Sequence, residues 1–390
     1  MNALKKPLKK LARRVTNPFR AIKLWIKEQT GWLGVPQIIP YRGYGNNREV
    51  VVMGTVTEDK GLSLPEHDDS IWENMLAMFK RYISDEIPGV RVSVKFYEQE
   101  KIVETDEDGF FVARFRTGEQ IKACMWHDVH FMLLDEIIPD QETVEATGEV
   151  FIITGLEEHA LISDIDDTIL VSHSTSFLKK MRLMLLKNAA TRIPFEGVAS
   201  FYEALQTGRD QIACNPIFFI SSSEWNLYDL LLDFCKFNHI PKGVFLLKQL
   251  KSNIFQFWKS GGGSHAHKLR KINGLMQFYH LLDFILIGDS GQKDPEIYLR
   301  TIRTFPGRVK AVYIRDIRKK KRKYLMDLTE KYKKYGIELV IVKNTYEASL
   351  HAVEKGYLRP EYISEIKKEY ELDVKKSPAL KNVLDKISTE

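Results

Sequence analysis

The stretch that decides the fold is residues 160–170, ALISDIDDTIL, in which a short apolar run leads into clustered aspartates. Carboxylates crowded in this way repel one another and are costly to remove from water. Asp164 and Asp166 lie two residues apart at the end of an expected strand, so their side chains point to the same side. We therefore expect a buried strand whose terminal carboxylates face a cationic ligand.

Further apolar runs follow along the chain, each separated from the next by a stretch long enough for a helix. The runs are continuously apolar rather than alternating, which is typical of strands that are covered on both faces of a parallel sheet. The sequence therefore predicts an α/β domain built on a doubly wound parallel sheet. The runs are ALISDID, NPIFFISSS, DFILIGDS, VKAVYIRD and IELVIVKN.

Polar side chains follow the first three of these runs. Parallel sheets bind ligands beyond the carboxyl ends of their strands, so we expect these side chains to converge on one crevice. An isolated Asp-x-Asp pair is common outside active sites, and it is the order of the polar groups after successive strands that favours a single site. The groups are Asp164, Asp166 and Thr168, then Ser221, Ser222 and Ser223, then Asp289 and Asp294.

These residue types suit phosphoryl transfer. A carboxylate can attack phosphorus, and its neighbour can protonate the leaving oxygen and then activate water. Asp289 and Asp294 with Asp164 make a hard oxygen site suited to Mg²⁺, which also relieves the repulsion between the carboxylates. Ser221 can donate a hydrogen bond to phosphate, and Lys268 can supply a fixed cation. Other lysines compete for the cationic role, namely Lys248, Lys251, Lys259 and Lys271.

The motifs DIDDTI, SSSEW followed by NLYDLL, and IGDSGQKDPEIY resemble the phosphatidate phosphatase catalytic domains of the yeast actin-patch phosphatase family. These domains belong to the haloacid dehalogenase superfamily, and the resemblance covers residues 160–357. It implies a haloacid dehalogenase-like fold, an aspartyl-phosphate intermediate and dependence on Mg²⁺. The chain departs from the pattern at residues 222–225, Ser-Ser-Glu-Trp, where relatives carry Asn-Ser-Pro-Trp.

The resemblance also assigns roles to individual residues. Asp164 would be the nucleophile and Asp166 the general acid and base. Three side chains would hold the phosphoryl group, namely Thr168, Ser221 and Lys268. The implied metal ligands are Asp164, the backbone carbonyl of Asp166, Asp289 and Asp294.

The preceding residues 35–155 have a different pattern. Residues 90–97 alternate between apolar and polar, and the turn at 106–109 leads into FFVARF, as expected for half-buried antiparallel strands. We predict a small β-sandwich interrupted by one helix, which begins at a capping box at Ser70 and runs to about Ile83. The GYGN stretch at 43–46 resembles the β-domain that often precedes the catalytic domain. We interpret His127 and His130 as structural residues.

Residues 1–34 are predicted to form a basic amphipathic helix. The first thirty residues carry a net charge of +8. Because the whole chain has a net charge of +6, the remaining residues carry −2. This segment suits an anionic membrane surface, although a solvated leader or a docked helix stays open. Because the basic charge is confined to the tail, we expect no nucleic-acid groove, and we interpret RKKKRK at 318–323 as the start of a solvated helix.

The predicted localisation rests on the absence of membrane-spanning, signal-peptide and paired-cysteine patterns in the 390 residues. No apolar run approaches the roughly 20 residues that span a bilayer, and the N-terminus has no signal-peptide core. The three cysteines have no CxxC spacing, which fits a reducing compartment. We predict a cytoplasmic protein with peripheral membrane association. The predicted parts are the segment 1–34, the β-domain 35–155, the phosphatase domain 156–358 and a charged helical extension 359–390.

The predicted function is Mg²⁺-dependent hydrolysis of phosphatidate to diacylglycerol and phosphate at a membrane surface. One alternative is a phosphatase for a soluble phosphomonoester, such as a sugar, a nucleotide or a nucleic-acid end. Another is a non-catalytic protein that is recruited to membranes. The sequence leaves the natural substrate and the oligomeric state open.

Overall fold

The computed structural model describes residues 34–59, 85–117, 121, 124–155, 157–165, 196–209, 214–248, 264–290, 293–316 and 322–388. Several sequence predictions lie outside these residues, namely the N-terminal helix, the helix from Ser70 to Ile83, Asp166, Thr168, Lys251 and Lys259. The chain divides into two compact units. The first contains the described residues up to Thr154 and the short segment Glu224–Tyr228, and the second contains the others.

The first unit is built from seven described strands that join in one sheet. The strand order is β4-β3-β6-β7-β1-β2-β5, and β1 pairs with β7 in parallel while the other pairs are antiparallel. The strands are β1 Val35–Gly45, β2 Glu49–Asp59, β3 Arg91–Phe96, β4 Gln99–Glu104, β5 Phe110–Arg116, β6 Met125–Leu133 and β7 Glu145–Ile152.

This single sheet corrects the predicted β-sandwich, because the described strands do not separate into two sheets. The two end strands approach each other: Lys101 Nζ on β4 donates to the Arg114 carbonyl on β5 at 2.5 Å, and Gln99 Nε2 donates to the Arg116 carbonyl at 2.8 Å. One apolar core therefore lies inside one curled sheet. Alternation along a strand identifies its core face but not the sheet that covers that face, so the sequence pattern fitted both architectures.

His127 and His130 lie on opposite faces of β6. His127 is buried and its Nδ1 is 2.8 Å from the Tyr97 hydroxyl, whereas His130 is exposed and its Nδ1 is 3.3 Å from Thr147 Oγ1. Residues three apart on a strand point in opposite directions, so the two rings do not face a common ligand. Their contacts agree with the structural interpretation.

The second unit contains a parallel sheet of order β10-β9-β8-β11-β12-β13 among the described residues. The β9–β8, β8–β11, β11–β12 and β12–β13 pairs are parallel, and all five predicted runs form strands. Strand β10 was not predicted. The strands are β8 Ala160–Asp164, β9 Ile217–Glu224, β10 Val244–Lys248, β11 Phe284–Asp289, β12 Val309–Arg315 and β13 Leu339–Val342.

Helices connect and follow these strands, as the α/β pattern predicts. The last helix lies within the residues 359–390 of the predicted extension, and another helix begins at Arg322, within the basic run at 318–323. Among the described residues, no helix combines the length and apolar character needed to cross a bilayer. The helices are α1 Val198–Thr207, α2 Tyr228–Phe237, α3 Ser264–Phe278, α4 Asp294–Thr304, α5 Arg322–Lys333, α6 Thr345–Glu354 and α7 Tyr362–Ser388.

The strand order reverses beside β8. From β8 the chain moves outward to β9 and β10 on one side, and then returns to place β11 on the other side. In open α/β sheets, ligands bind in the crevice that such a reversal opens at the carboxyl ends of the strands. The carboxyl ends of β8 and β11 are therefore the expected location of a site.

The amino end of α1 is capped by carboxylates from α7. The Gly197 N–H donates to Asp373 Oδ2 at 3.0 Å, and the Ser200 N–H donates to Glu369 Oε2 at 2.8 Å. The N-cap residue of α1 is Gly197, with a φ of 74°, and it has no side chain that could cap the helix. A Cβ at Gly197 would lie 3.1 Å from the Ile366 carbonyl oxygen, so glycine also allows the close approach of α7.

We predict that Glu369→Ala and Asp373→Ala each lower the free energy of unfolding by about 0.5–2 kcal/mol, because each leaves a first-turn amide of α1 without its acceptor. Glu371→Ala is the matched control, since Glu371 is exposed on the same helix. Urea denaturation of the full chain measures all three variants. Equal transition midpoints for Glu369→Ala, Asp373→Ala and the control would contradict the capping role.

Candidate active site

The candidate site is built on the carboxyl ends of β8 and β11. Ser163 of β8 pairs with Ile287 of β11, so Asp164 and Asp289 come at the same edge of the sheet. Asp294 lies at this edge too, because it begins α4 five residues after β11 ends. Each of the three aspartates offers a carboxylate oxygen within 4.8 Å of the other two.

Lys268 projects from α3 into this cluster. Its Nζ lies 2.7 Å from Asp164 Oδ2 and 2.9 Å from Asp294 Oδ1. The three side chains are nearly inaccessible, with exposed fractions of 3%, 2% and 0%. Charges this deeply buried are stable only when they are paired, so the ammonium and the two carboxylates form one electrostatic unit.

The geometry also bears on the competing lysines. Lys271 Nζ donates to the Leu247 carbonyl, which directs Lys271 to β10. Lys248 ends β10, which β9 separates from β8. Lys251 and Lys259 lie outside the described residues. Of the lysines whose positions are described, Lys268 is the one that contacts Asp164.

Asp294 packs directly against the main chain of β11. The Asp289 N–H donates to Asp294 Oδ2 at 3.3 Å. A Cβ added at Gly288 would lie 2.7 Å from the same oxygen and 2.8 Å from Asp294 Cβ, which is closer than real contacts allow. Gly288 is therefore required by the position of this carboxylate, which explains the glycine in the IGDSG motif.

Ser221 is fully buried on β9, the strand beside β8. Its neighbour Ile220 pairs with Asp164, and the Ile165 N–H donates to the Ile220 carbonyl at 3.4 Å. Ser221 thus lies one residue beyond the pairing partner of Asp164. The structure brings Asp164, Lys268, Asp289 and Asp294 together, with Ser221 on the adjacent strand.

Residues 159–316 match the sequence model of the family described as phosphatidate phosphatase APP1, catalytic domain. Over these residues the chain is similar to that domain family. The chain is 31% identical over 155 residues to phosphatidate phosphatase APP1 of Saccharomyces cerevisiae, which covers 40% of this chain and 25% of that protein. It is 24% identical over 275 residues to an uncharacterized protein of Schizosaccharomyces pombe, covering 66% of this chain and 42% of that protein.

The chain therefore spans less than half the length of both curated relatives. Among solved structures, a carbohydrate acetylesterase from Xanthomonas citri aligns over 71% of this chain and 68% of its own, at 10% identity and a TM-score of 0.27. A likeness this weak says nothing about fold or activity, so the haloacid dehalogenase-like fold stays a prediction.

Two buried tyrosines lie close to the strands that carry Asp164 and Asp289. The Tyr298 hydroxyl donates to the Ile287 carbonyl at 2.8 Å, and the Tyr202 hydroxyl is 2.6 Å from Ser163 Oγ. Burial raises the pKa of both tyrosines, and the negative charge of Asp164 raises each pKa further. Both hydroxyls therefore stay protonated at neutral pH. Sequence analysis assigned a role to neither: Tyr298 ends the motif IGDSGQKDPEIY without a predicted task, and Tyr202 lies outside the quoted motifs.

The formal charges of the cluster favour a divalent cation. Three carboxylates and one ammonium leave two net negative charges in a largely buried place, which a single divalent ion would neutralise. Carboxylate oxygens are the ligands that hard cations such as Mg²⁺ prefer. The described residues of this cluster therefore fit a divalent metal ion.

We predict that Gly288→Ala weakens the binding of Mg²⁺ by about tenfold or more, because the added methyl group displaces Asp294, and displaced supporting groups typically cost 10–100-fold in metal affinity. Isothermal titration of the full chain with Mg²⁺ measures the change. Gly274→Ala is the matched control: nothing lies within 4 Å of its Cβ position in α3, so it should leave Mg²⁺ affinity unchanged and stabilise the helix by about 1 kcal/mol. Equal affinities in the two variants would refute the packing argument.

Proposed function

We propose that this chain is a Mg²⁺-dependent phosphomonoester hydrolase that acts on phosphatidate through an aspartyl-phosphate formed on Asp164. The observation that carries the proposal is the buried cluster at the end of β8, in which Lys268 Nζ lies 2.7 Å from Asp164 Oδ2 and two further aspartates lie close by. This cluster falls inside the segment that matches the phosphatidate phosphatase catalytic domain.

In the first step, a carboxylate oxygen of Asp164 forms a bond to phosphorus while the bond from phosphorus to the leaving oxygen breaks. Asp166 gives its proton to that oxygen, so the product leaves as a neutral alcohol. The position of Asp164 on a buried strand end supports this role, because in-line attack requires a fixed nucleophile.

In the second step, Asp166 takes a proton from water as the water oxygen attacks phosphorus. The bond between phosphorus and Asp164 breaks, which releases phosphate and restores both aspartates to their starting states. Ser221 and Thr168 donate hydrogen bonds to the phosphoryl oxygens. Lys268 orients Asp164 and contributes positive charge to the same oxygens.

The residues proposed to hold Mg²⁺ are Asp164, Asp289, Asp294 and the backbone carbonyl of Asp166. When bound, Mg²⁺ neutralises the charge of the carboxylates and of the phosphate group, so that an anionic nucleophile can meet an anionic substrate. Gly288 keeps Asp294 in position for this task, and Lys268 keeps Asp294 and Asp164 turned toward each other.

Phosphatidate is proposed as the substrate because the matched domain family and the yeast relative both carry that name. The basic, amphipathic sequence of residues 1–34 supports action at an anionic membrane surface. A soluble phosphomonoester is the alternative, since the proposed chemistry is the same for both. A purely non-catalytic role is disfavoured because Asp164, Lys268, Asp289 and Asp294 all lie together.

We predict that Asp164→Asn lowers phosphate release by about 10³-fold or more, because an amide cannot form the phosphoenzyme. Chelation of Mg²⁺ should abolish the activity of the wild-type chain. Asp283→Asn is the matched control: Asp283 precedes β11 at the opposite edge of the sheet, where it pairs with Arg308. Undiminished turnover by Asp164→Asn, with the control also active, would rule out Asp164 as the nucleophile.

We predict that the chain releases phosphate faster from phosphatidate in anionic vesicles than from soluble p-nitrophenyl phosphate. Removing residues 1–30 should slow the vesicle reaction several-fold at low salt and leave the soluble reaction unchanged, because each basic residue near the surface contributes about 1 kcal/mol. Faster release from p-nitrophenyl phosphate would contradict phosphatidate as the substrate and would favour a soluble phosphomonoester. An equal effect of truncation on both reactions would remove the membrane role of the tail.

A further inference from the structure

We infer that Tyr202 is a positioning residue for the nucleophile, which it holds through Ser163. The inference rests on the proposed function, because it names a residue outside the motifs that prepares Asp164 for attack. Tyr202 does not touch the substrate in this proposal. It acts on the main chain of β8 from the face opposite to the Asp164 side chain.

The contacts form a continuous link from α1 to the main chain of Asp164. The Tyr202 hydroxyl lies 2.6 Å from Ser163 Oγ, and Ser163 Oγ lies 3.1 Å from the Asp164 carbonyl oxygen. Ser163 and Tyr202 are both 1% exposed, so water does not compete for these bonds. Because side chains alternate along a strand, Ser163 points away from the cluster of carboxylates.

The protons of the two hydroxyls fix the direction of the link. Each hydroxyl has one proton, and a carbonyl oxygen can only accept. Ser163 therefore donates to the Asp164 carbonyl and accepts from Tyr202. The raised pKa of Tyr202, caused mainly by burial, keeps its proton in place for this bond.

The link acts at the carboxyl end of β8, where the last described hydrogen bond to β9 is long. The ladder between β8 and β9 ends with the bond from the Ile165 N–H to the Ile220 carbonyl, which is long at 3.4 Å. The Ser163 bond to the Asp164 carbonyl fixes the orientation of the peptide plane between Asp164 and Ile165. In this proposal, fixing that plane keeps the main chain of Asp164, and with it the side chain, in one direction.

Helix α1, which carries Tyr202, is held in place by hydrogen bonds at its amino end. Its first-turn amides are held by Asp373 and Glu369 of α7, as described above. The residue before its N-cap, Glu196, accepts two bonds from Arg315 Nη2, at 3.1 and 3.2 Å, and Arg315 ends β12. A hydroxyl presented by α1 is therefore fixed relative to the sheet on which Asp164 lies.

The test compares Tyr202→Phe and Ser163→Ala with Tyr313→Phe in the full chain. Tyr313 is an equally buried tyrosine, but its hydroxyl lies 2.9 Å from His351 Nδ1. We expect kcat for phosphate release to fall about tenfold or more in the first two variants with KM changed less than twofold, because misplacing a nucleophile impairs the reaction rather than binding. The control should keep its kcat.

Two further results separate positioning from other roles. The double variant should lose no more kcat than Ser163→Ala alone, because both changes break the same link. The pH profile of kcat should keep its shape, since the Tyr202 hydroxyl is protonated throughout the working range. Additive losses, or a kcat of Tyr202→Phe equal to that of Tyr313→Phe, would overturn the inference.

Hydrogen exchange provides a readout that does not depend on catalysis. Deuterium uptake at the Ile165 amide should accelerate in Tyr202→Phe and stay unchanged in Tyr313→Phe. Unchanged uptake in both variants would overturn the link. Failure of the wild-type chain to hydrolyse any phosphomonoester would instead overturn the proposed function, and the exchange result would still decide whether Tyr202 fixes the end of β8.

Discussion

The contact between Lys268 and the carboxylates of Asp164 and Asp294 is the interaction on which the arrangement at the carboxyl ends of β8 and β11 depends. It joins three elements that are far apart in sequence, since the lysine lies on α3 and the aspartates lie on β8 and α4. Removing one partner from a buried ion pair typically costs about 3–5 kcal/mol, because the other charge is left without compensation. The cluster therefore constrains how both helices pack on the sheet as well as what chemistry can occur there.

The same constraint explains why the surroundings of the cluster are so restricted. Asp294 contacts Lys268 while it packs on β11, and that position leaves room for no side chain larger than hydrogen at Gly288. Buried tyrosines on both sides contribute neutral hydroxyls, since additional charge would have to be balanced in a region that water does not reach. In this buried region, the aspartates and Lys268 carry the charge, whereas the tyrosine hydroxyls are neutral and form hydrogen bonds that hold the main chain.

The sequence predicted this part of the fold well because the strands are buried on both faces. Continuous apolar runs identified β8, β9, β11, β12 and β13, and the polar residues after them included Asp164, Asp289 and Asp294, which lie together in the structure. Strand β10 was missed because VFLLK is a short run without a polar motif at its end. The β-domain was expected to contain two sheets, since alternation does not reveal that one sheet curls over its own core.

The hydrogen bonds that support the site could not be predicted from the sequence, for a different reason. Tyr202 contacts Ser163 across 39 residues, and no local spacing signals that a tyrosine on one helix will meet a serine on a particular strand. Long-range hydrogen bonds of this kind depend on the packed positions of whole elements. Such bonds can be recognised only when those positions are known. The motifs DIDDTI and IGDSGQKDPEIY, in contrast, consist of consecutive residues and can be recognised in the sequence.

The carboxylates that cap α1 have a consequence for the way the domain is made. Asp373 follows Gly197 by 176 residues, and Glu369 follows Ser200 by 169. During synthesis from the amino end, the first turn of α1 must therefore wait for almost the whole remaining chain before its amides gain these acceptors. The family match ends at residue 316, before β13 and α7. The stretch that the family model matches therefore lacks the carboxylates that cap α1, and an expressed fragment bounded by that match would lack part of its own support.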